Sequence, residues 1–310
     1  MYNVYIETFN KHLAHDMAYA AHVGCEYDRE MEKSRMEGKP RVHYFYWDRD
    51  IEKSFPVPVG LNEFGLPPLV VAGIETTEEY FHLCGVEVPK PLHIPPQLRT
   101  FAKRRYSVTT FGDVKKSQYT KFPLFIKSYD RQKLFPSGVI QHRGTLKMDS
   151  IFNKVPDNTT VLISDYIDMS SEYRAFIRRG EIVGFKHYRG DFRLFPDFDF
   201  IDECIKAYTN APASYCLDFA VSATPLAPAV SRGMITDTVL VEANDMWSLG
   251  TYGLDGETYL SCLKARWYEI MKPFIDREKN KRETGRNDKL AEKIENIVAQ
   301  NPHLYLPKKE

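Results

Sequence analysis

Short apolar runs alternate with segments of helical periodicity along residues 1–87. The predicted strands are MYNVYI at 1–6, RVHYFYW at 41–47, VPVG at 57–60 and LVVAGI at 69–74. Residues 11–37 and TTEEYFHLCG at 76–85 have apolar positions at helical spacing. Threonines supply an N-cap for the second helix and Gly85 is placed to end it. This alternation of strands and helices predicts a small α/β unit.

The proline-rich segment VPKPLHIPPQL at 88–98 interrupts both patterns, because proline continues neither a helix nor a central strand. Beyond it, apolar alternation predicts a strand-rich region in which RRGEI forms a hairpin turn centred on Gly180. The predicted strands are FPLFIKSYD at 122–130, GVIQHRG at 138–144, TVLISDYID at 160–168, the hairpin at 173–191, YCLDFAVSA at 215–223 and TVLVEAND at 238–245. Residues 197–211 predict a helix.

The end of the chain changes character again. Residues 257–298 are predicted to be mostly helical, and the stretch REKNKRETGRNDKLAEK predicts a solvated helix pair. The pattern therefore divides the chain into an N-terminal α/β domain at 1–98, a strand-rich domain at 99–275 and a helical C-terminal tail at 276–310.

Composition narrows the function classes. Hydrophobic residues make up 43% and charged residues 27% of the chain, which is typical of a globular protein with a sizeable core. Lys plus Arg equals Asp plus Glu at 42 each, so net charge does not indicate nucleic acid or an anionic membrane as a partner. The five cysteines contain no CxxC pair, and no apolar run approaches the roughly 18 residues of a membrane span. These features predict a soluble, cytoplasmic protein without a zinc ribbon.

The strand at 238–245 carries two oxygen-bearing side chains on one face. Glu242 and Asn244 are two residues apart, and side chains alternate faces along a strand. If this strand pairs antiparallel with YCLDFAV, Asp218 joins them on the same face. Carboxylate and carbonyl oxygens suit Mg²⁺ or Mn²⁺, so the three residues are candidate metal ligands. The alternative is that Asn244 and Asp245 cap the following turn while Glu242 forms a salt bridge.

Cationic side chains on other strands indicate an anion. Lys127 follows Phe125 and Ile126, where a lysine must either extend to solvent or meet a negative charge. The loop after it contains Lys133 and leads to Gly138, so its backbone N–H groups are candidates for covering phosphates. An ordinary hairpin loop with a solvated lysine explains the same residues.

Two further strands bring charges of both signs. Glu172 and Arg174 share one strand face, and Arg174 has the planar fork that binds phosphate or carboxylate. The same two residues are also able to form simple cross-strand ion pairs. Lys186 and Arg189 follow on the second strand of the predicted hairpin. Cations beside carboxylates are what a Mg²⁺–nucleotide site requires.

Several well-known motifs are missing from the sequence. It contains no GxxxxGK[ST], GxGxxG, GxSxG or HExxH, which excludes P-loop, Rossmann, serine-hydrolase and zincin signatures. Lys127 stands in the context KSYD rather than the KxDG of an adenylated ligase lysine.

The order of the pieces resembles the ATP-grasp superfamily, and within it the phage and bacterial clade named for one arginine and two lysines. The resemblance covers about residues 55–256. The segments that carry it are FPLFIKSYDRQKLFPSGVI, SEYRAFIRRGEIVGFKHYRGD, YCLDFAV and VLVEANDMWSLGTYGLD, with VPVGLNEF and VPKPLHIPPQL before them. It implies an α+β ATP-grasp fold, in which two α+β subdomains clasp ATP, preceded by a small α/β domain.

The resemblance also implies roles for the candidate residues. Lys127 would contact the α- and β-phosphates, and an earlier lysine, chosen here as Lys103 from among Lys103, Lys115 and Lys116, would join it. Arg174 would lie at the γ-phosphate or the acyl phosphate. The remaining implied ATP-site residues are Lys133, Gly138, Asp165, Tyr166, Ile167, Glu172, Lys186 and Arg189, and the implied Mg²⁺ ligands are Asp218, Glu242 and Asn244. The single Gly138 departs from the glycine-rich loop that many members have.

The chemistry implied by the resemblance is ADP-forming ligation of a carboxylate to an amine or thiol through an acyl phosphate. ATP and Mg²⁺, or Mn²⁺, are the implied cofactors, and small-molecule or peptide carboxylates and amines are the implied substrates. Two alternatives remain open at this point: a non-catalytic or regulatory ATP-binding protein, and a ligase that modifies nucleic acid or nucleotides.

Overall fold

Three four-stranded sheets organise the part of the chain that the computed structural model describes. The described residues are 2–9, 12–13, 15–32, 42–48, 54–117, 120–131, 134–225 and 234–300.

The first sheet belongs to the N-terminal α/β unit. Its elements are β1 (Val4–Phe9), β2 (His12–Leu13), α1 (Asp16–Glu32), β3 (Val42–Phe45), β4 (Leu69–Val71) and α2 (Ile74–Leu83). The buried strand β1 runs parallel to β3 and β4 and antiparallel to β2. The predicted α/β unit is thus confirmed. The strand predicted at 57–60 is wrong, because its two prolines cannot donate to a sheet and the chain there forms only bends.

The second sheet follows the proline-rich segment, which ends in a 3-10 helix at Pro96–Ala102. Its elements are β5 (Tyr106–Thr110), α3 (Phe111–Lys116), β6 (Leu124–Ser128), β7 (Gly138–Ile140), α4 (Thr145–Met148) and β8 (Thr160–Asp165). The strand order is β5-β8-β6-β7, with every pair antiparallel. Sequence reasoning missed β5 because its residues are largely polar and half-exposed.

The third sheet carries most of the candidate site. Its elements are β9 (Ser171–Arg178), β10 (Glu181–Gly190), α5 (Phe198–Ala207), β11 (Ser214–Pro225) and β12 (Met234–Asp245). The order is β10-β9-β11-β12, all antiparallel, so β12 is an edge strand. The predicted hairpin at Gly180 is confirmed: Arg179 and Gly180 both have positive φ, at 53° and 83°, as a two-residue primed turn requires.

One helix, α6 (Gly256–Gln300), forms the C-terminal end of the described chain and contains Pro273. The predicted helix pair is therefore wrong, since the charged stretch continues α6 without a turn. This helix packs on the N-terminal unit: the indole of Trp267 donates to the carbonyl of Pro68 at 2.8 Å and stacks on Tyr80. The division at 98/99 and 275/276 remains a prediction.

Two further expectations concern the whole chain. Within the described residues, no helix combines the length and the apolar character that crossing a membrane requires. All five cysteines are free thiols and are buried.

Candidate functional site

A cleft of about 440 Å³ lies among residues of the second and third sheets. Strands β6, β7 and β8 contribute one part of its lining, and β9, β10 and β12 contribute the other. Its volume falls in the range of small-molecule sites. Of the predicted site residues, those that line it are Lys127, Gly138, Asp165, Tyr166, Ile167, Glu172, Arg189 and Glu242.

One end of the cleft combines an apolar wall with polar backbone. Phe125, Leu162 and Val241 supply apolar side chains, and the segment from Asp165 to Met169, which connects β8 to β9, closes this end. The Asp165 carboxylate accepts from the Arg105 guanidinium at 3.0 Å, and this hydrogen bond lowers the pKa of Asp165. An apolar slot beside free backbone groups suits a flat heterocycle.

The Lys127 ammonium and the Glu242 carboxylate form an ion pair inside the cleft. Lys127 Nζ lies 2.7 Å from Glu242 Oε2, and the two side chains are 17% and 29% exposed. Burial would raise the pKa of Glu242, but the positive charge and hydrogen bond of Lys127 outweigh it and lower the pKa to about 2. Glu242 is therefore anionic throughout the physiological pH range.

A second ion pair is buried beneath the first. Arg174 on β9 faces Asp218 on β11 in the sheet register, and its Nε and Nη2 donate to the two carboxylate oxygens, both at 2.7 Å. The side chains are only 6% and 3% exposed. Burial raises the pKa of Asp218 to about 6 despite Arg174, so the carboxylate is ionised at neutral pH. The Tyr252 ring covers the guanidinium at 4.5 Å, and Tyr252 stacks on Tyr188.

Asn244 connects the two ion pairs. Its Nδ2 donates to Asp218 Oδ2 and to Glu242 Oε1, both at 3.1 Å. The predicted antiparallel pairing of β11 with β12 is confirmed, with Asp218 opposite Glu242. The turn-capping alternative is wrong for Asp245, because its side chain caps no N–H of the 3-10 turn Met246–Ser248 and instead binds Arg266 at 2.6 Å. The salt bridge expected for Glu242 in that alternative is present.

The donor set of this cluster suits a hard divalent cation, because it consists of carboxylate and amide oxygens. Glu242 and Asn244 line clefts, whereas Asp218 lies under them with both oxygens bonded to Arg174. Across the described part of the chain, no three His, Cys, Asp or Glu side chains converge as a metal-binding group. A cation here would thus depend on the amide of Asn244 as well as on carboxylates.

Glu172 is the centre of a third network on the cleft wall. Its buried carboxylate accepts from Arg189 Nη1 at 2.7 Å and from the Tyr188 hydroxyl at 2.9 Å. Glu172 and Arg174 thus both form the cross-strand pairs that the sequence left open. Lys186 lies opposite Arg174 in the β9–β10 register but is not part of the cleft lining.

The first ATP lysine predicted from the sequence lies elsewhere. Lys103 Nζ pairs with Asp237 at 2.6 Å and does not line the cleft. Lys115 and Lys116 both pair with Asp157. The predicted Lys133 lies outside the described residues.

Two residues that sequence reasoning did not select adjoin the site. Arg104 lines the cleft directly beside Lys103, and the basic run of residues 103–105 before β5 was the available signal. His93 lines a second cleft of about 520 Å³, which also includes Lys127, Glu242 and Asn244. The Lys127–Glu242 pair therefore borders both clefts.

Comparison with known proteins gives one family match. The model of an ATP-grasp domain, the second family of the clade named for one arginine and two lysines, matches residues 101–262, just over half of the chain. A search of curated proteins found no match.

Solved structures give distant likenesses. The D-alanine–D-alanine ligase of Bacillus anthracis complexed with ATP has a TM-score of 0.45 and 11% identity, over 87% of this chain and 98% of that one. The ATP-grasp ligase PsnB, complexed with a minimal precursor, has a TM-score of 0.42 and 11% identity, over 86% and 99%. The N5-carboxyaminoimidazole synthetase of Staphylococcus aureus has a TM-score of 0.42 and 9% identity, over 85% and 77%.

Proposed function

This chain belongs to that ATP-grasp family, and we propose that it is an ATP-dependent ligase that joins a carboxylate to an amine. Its fold is accordingly the α+β ATP-grasp fold that the sequence predicts. The single observation that carries the proposal is the Lys127–Glu242 ion pair on the wall of the 440 Å³ cleft.

The proposed reaction has two steps. An oxygen of the substrate carboxylate attacks the γ-phosphorus of ATP, which forms an acyl phosphate and releases ADP. The amine, or a thiol, then attacks the acyl carbon; the C–O bond to phosphate breaks, and inorganic phosphate leaves. No covalent protein nucleophile takes part, so the contribution of the protein is positioning and electrostatic stabilisation.

The ion pair suits this chemistry because each partner can exchange the other for a group of Mg-ATP. A phosphate offers Lys127 another anion, and a divalent cation offers Glu242 another positive charge. Both partners border the cleft, so the exchange needs no opening of the core. In this proposal Glu242 and Asn244 hold Mg²⁺, or Mn²⁺, and the metal neutralises charge on the transferring phosphoryl group.

The rest of the cleft is assigned by charge and shape. The apolar end closed by Asp165, Tyr166 and Ile167 takes the adenine, and the backbone of Gly138 lies along the phosphates. Arg189, whose side chain is 72% exposed at the cleft, is free to approach an anionic substrate. Arg174 acts from beneath, where its pair with Asp218 places a fixed positive charge behind the carboxylates.

The test measures ADP and phosphate release from Mg-ATP in the presence of a panel of amino acids and short peptides, which supply carboxylates and amines. Glu242→Gln and Lys127→Met are expected to lower turnover by about 100-fold or more, as removal of one electrostatic partner of a transition state does. Glu181→Gln and Lys154→Met remove matched charges at exposed positions and are expected to keep wild-type turnover.

The outcomes separate the competing functions. Wild-type turnover in both folded site variants contradicts the assignment of the cleft. Calorimetric binding of a non-hydrolysable ATP analogue, without ADP release for any member of the panel, supports the regulatory alternative instead. AMP attached to a lysine identifies a nucleotidyl-transfer ligase.

A further inference from the structure

The edge strand β12 contains an irregularity immediately before Glu242. In its pairing with β11, Asp218 lies opposite Glu242, but the next residue, Phe219, lies opposite Leu240. Val241 is therefore an extra residue, which makes this point a β-bulge. A bulge bends its strand and redirects the neighbouring side chains, so it controls where Glu242 points.

Arg104 bridges this bulge from outside the sheet. Its Nη1 donates to the carbonyl of Leu240 at 2.7 Å, and its Nη2 donates to the carbonyl of Val241 at 2.6 Å. Nη1 also donates to the carbonyl of Ala102 at 3.2 Å, which ties the guanidinium to its own segment. The two bonds to β12 use the rigid planar fork of arginine, whereas a lysine presents a single point charge and cannot span two carbonyls in the same way.

A second bond holds the strand on the other side of Glu242. The backbone N–H of Ala243 donates to the carbonyl of His93 at 2.6 Å. The His93 ring stacks on Tyr129 at 4.7 Å, and its Nε2 lies 2.8 Å from the Tyr129 carbonyl. Tyr129 directly follows β6, the strand of Lys127. Glu242 is thus held between two external attachments, and one of them also contacts the segment that carries its ion-pair partner.

We infer that Arg104 is a positioning residue for divalent-cation binding: by bridging the bulge at Val241, it fixes the direction of Glu242. This inference rests on the proposed function, in which Glu242 is a metal ligand. Arg104 acts through the backbone of β12 and need not touch the cation. Removing the partner that orients a ligand typically weakens metal affinity by about 10- to 100-fold.

The experiment compares Arg104→Lys, which keeps the charge but loses the fork, with Arg99→Lys as a matched control. Arg99 is exposed and lies over the Tyr106 ring at 5.7 Å. Two measurements are made on the full chain: hydrogen exchange of the peptide covering residues 239–245, and Mn²⁺ affinity by electron paramagnetic resonance with a non-hydrolysable ATP analogue present. Arg104→Lys is expected to speed exchange in that peptide, with β9 and β10 unchanged, and to weaken Mn²⁺ binding about 10-fold or more.

The kinetic signature follows from the same geometry. The apparent KM for Mg²⁺ is expected to rise in Arg104→Lys, while kcat at saturating Mg²⁺ changes little, because excess cation restores occupancy. In a Glu242→Gln background, Arg104→Lys is expected to cause no further loss of Mn²⁺ affinity, since its effect passes through Glu242.

The outcomes are distinguishable. Unchanged Mn²⁺ affinity in folded Arg104→Lys overturns the positioning role, whatever its thermal stability, and so does equal loss in the Glu242→Gln background. If Arg104→Lys does not fold, the same cycle is made with Arg104→Gln, and equal Mn²⁺ losses in the two backgrounds again overturn the inference. Failure of the wild-type protein to bind Mn²⁺ with the analogue contradicts the proposed function instead.

Discussion

At the scale of single residues, the Lys127–Glu242 pair brings together side chains 115 positions apart in the chain. The carboxylate also accepts from Asn244, so one oxygen meets an ammonium and the other meets an amide. Both interactions favour the ionised form. The pair is partly exposed, which leaves it open to exchange with a ligand.

The lowered pKa of Glu242 makes its contribution to stability depend on pH. The ordinary value is 4.5 and the value in the fold is about 2, so the unfolded chain binds a proton more readily than the folded one. The contribution is therefore fully present above pH 4.5 and is lost as the pH falls from there to about 2. The measurement is the free energy of unfolding in urea, without metal, for the wild type and Glu242→Gln at several pH values. The difference between the two is expected to shrink on acidification; a difference that stays constant or grows contradicts this linkage.

At the scale of elements, helices α1 and α6 approach each other through two glycines. A Cβ on Gly24 would lie 2.2 Å from the carbonyl oxygen of Gly256, and a Cβ on Gly256 would lie 2.5 Å from the carbonyl oxygen of Ala20. These are backbone atoms, which cannot move aside as the end of a side chain can. The crossing of these helices therefore depends on residues without a side chain, and it joins the C-terminal helix to the N-terminal unit.

Gly24→Ala is expected to lower the free energy of unfolding by about 1–3 kcal/mol, because the added methyl group forces the two helices apart. Gly285→Ala is the matched control, since this α6 position is exposed and has no atom within 4 Å of an added Cβ. Alanine there is expected to stabilise by roughly 0.5–1 kcal/mol through helix propensity. Urea unfolding of both variants tests the pair, and destabilisation of the same size in both variants contradicts the close helix contact.

At the scale of the whole molecule, the thiols report on how completely the core is closed. All five cysteines are buried, and they occur in the N-terminal unit, in the third sheet with its helix, and in α6. Burial raises the pKa of Cys25 and Cys204 to about 12 and that of Cys84 to about 11. The reactive thiolate is therefore scarce at neutral pH, and the reagent has no access to it.

The native protein is expected to react slowly with an aromatic disulfide reagent, and all five thiols are expected to react once the chain is unfolded in denaturant. Release of the coloured thiol gives the count directly. Lys154→Cys, at an exposed position, supplies a control that reacts at once in the native state. Rapid reaction of one or more equivalents in the native wild type contradicts the closed core.

The sequence by itself determined the features that repeat with a short period. Alternation of side chains placed Asp218, Glu242 and Asn244 on one face, and the same rule identified β6, β8 and the hairpin at Gly180. These features are local, because a strand sets the direction of its side chains wherever it lies. The order of the segments was also sufficient for the ATP-grasp fold to be predicted and confirmed.

Only the tertiary structure decided which charges meet. The pairing of Arg174 with Asp218, and of Lys103 with Asp237 rather than with the cleft, depends on which strands become neighbours. Arg104 has no signal beyond a basic run, because its partners are backbone carbonyls, and these look alike in any sequence. A bulge at Val241 arises from the register between two strands, so no single segment contains the information that positions Glu242.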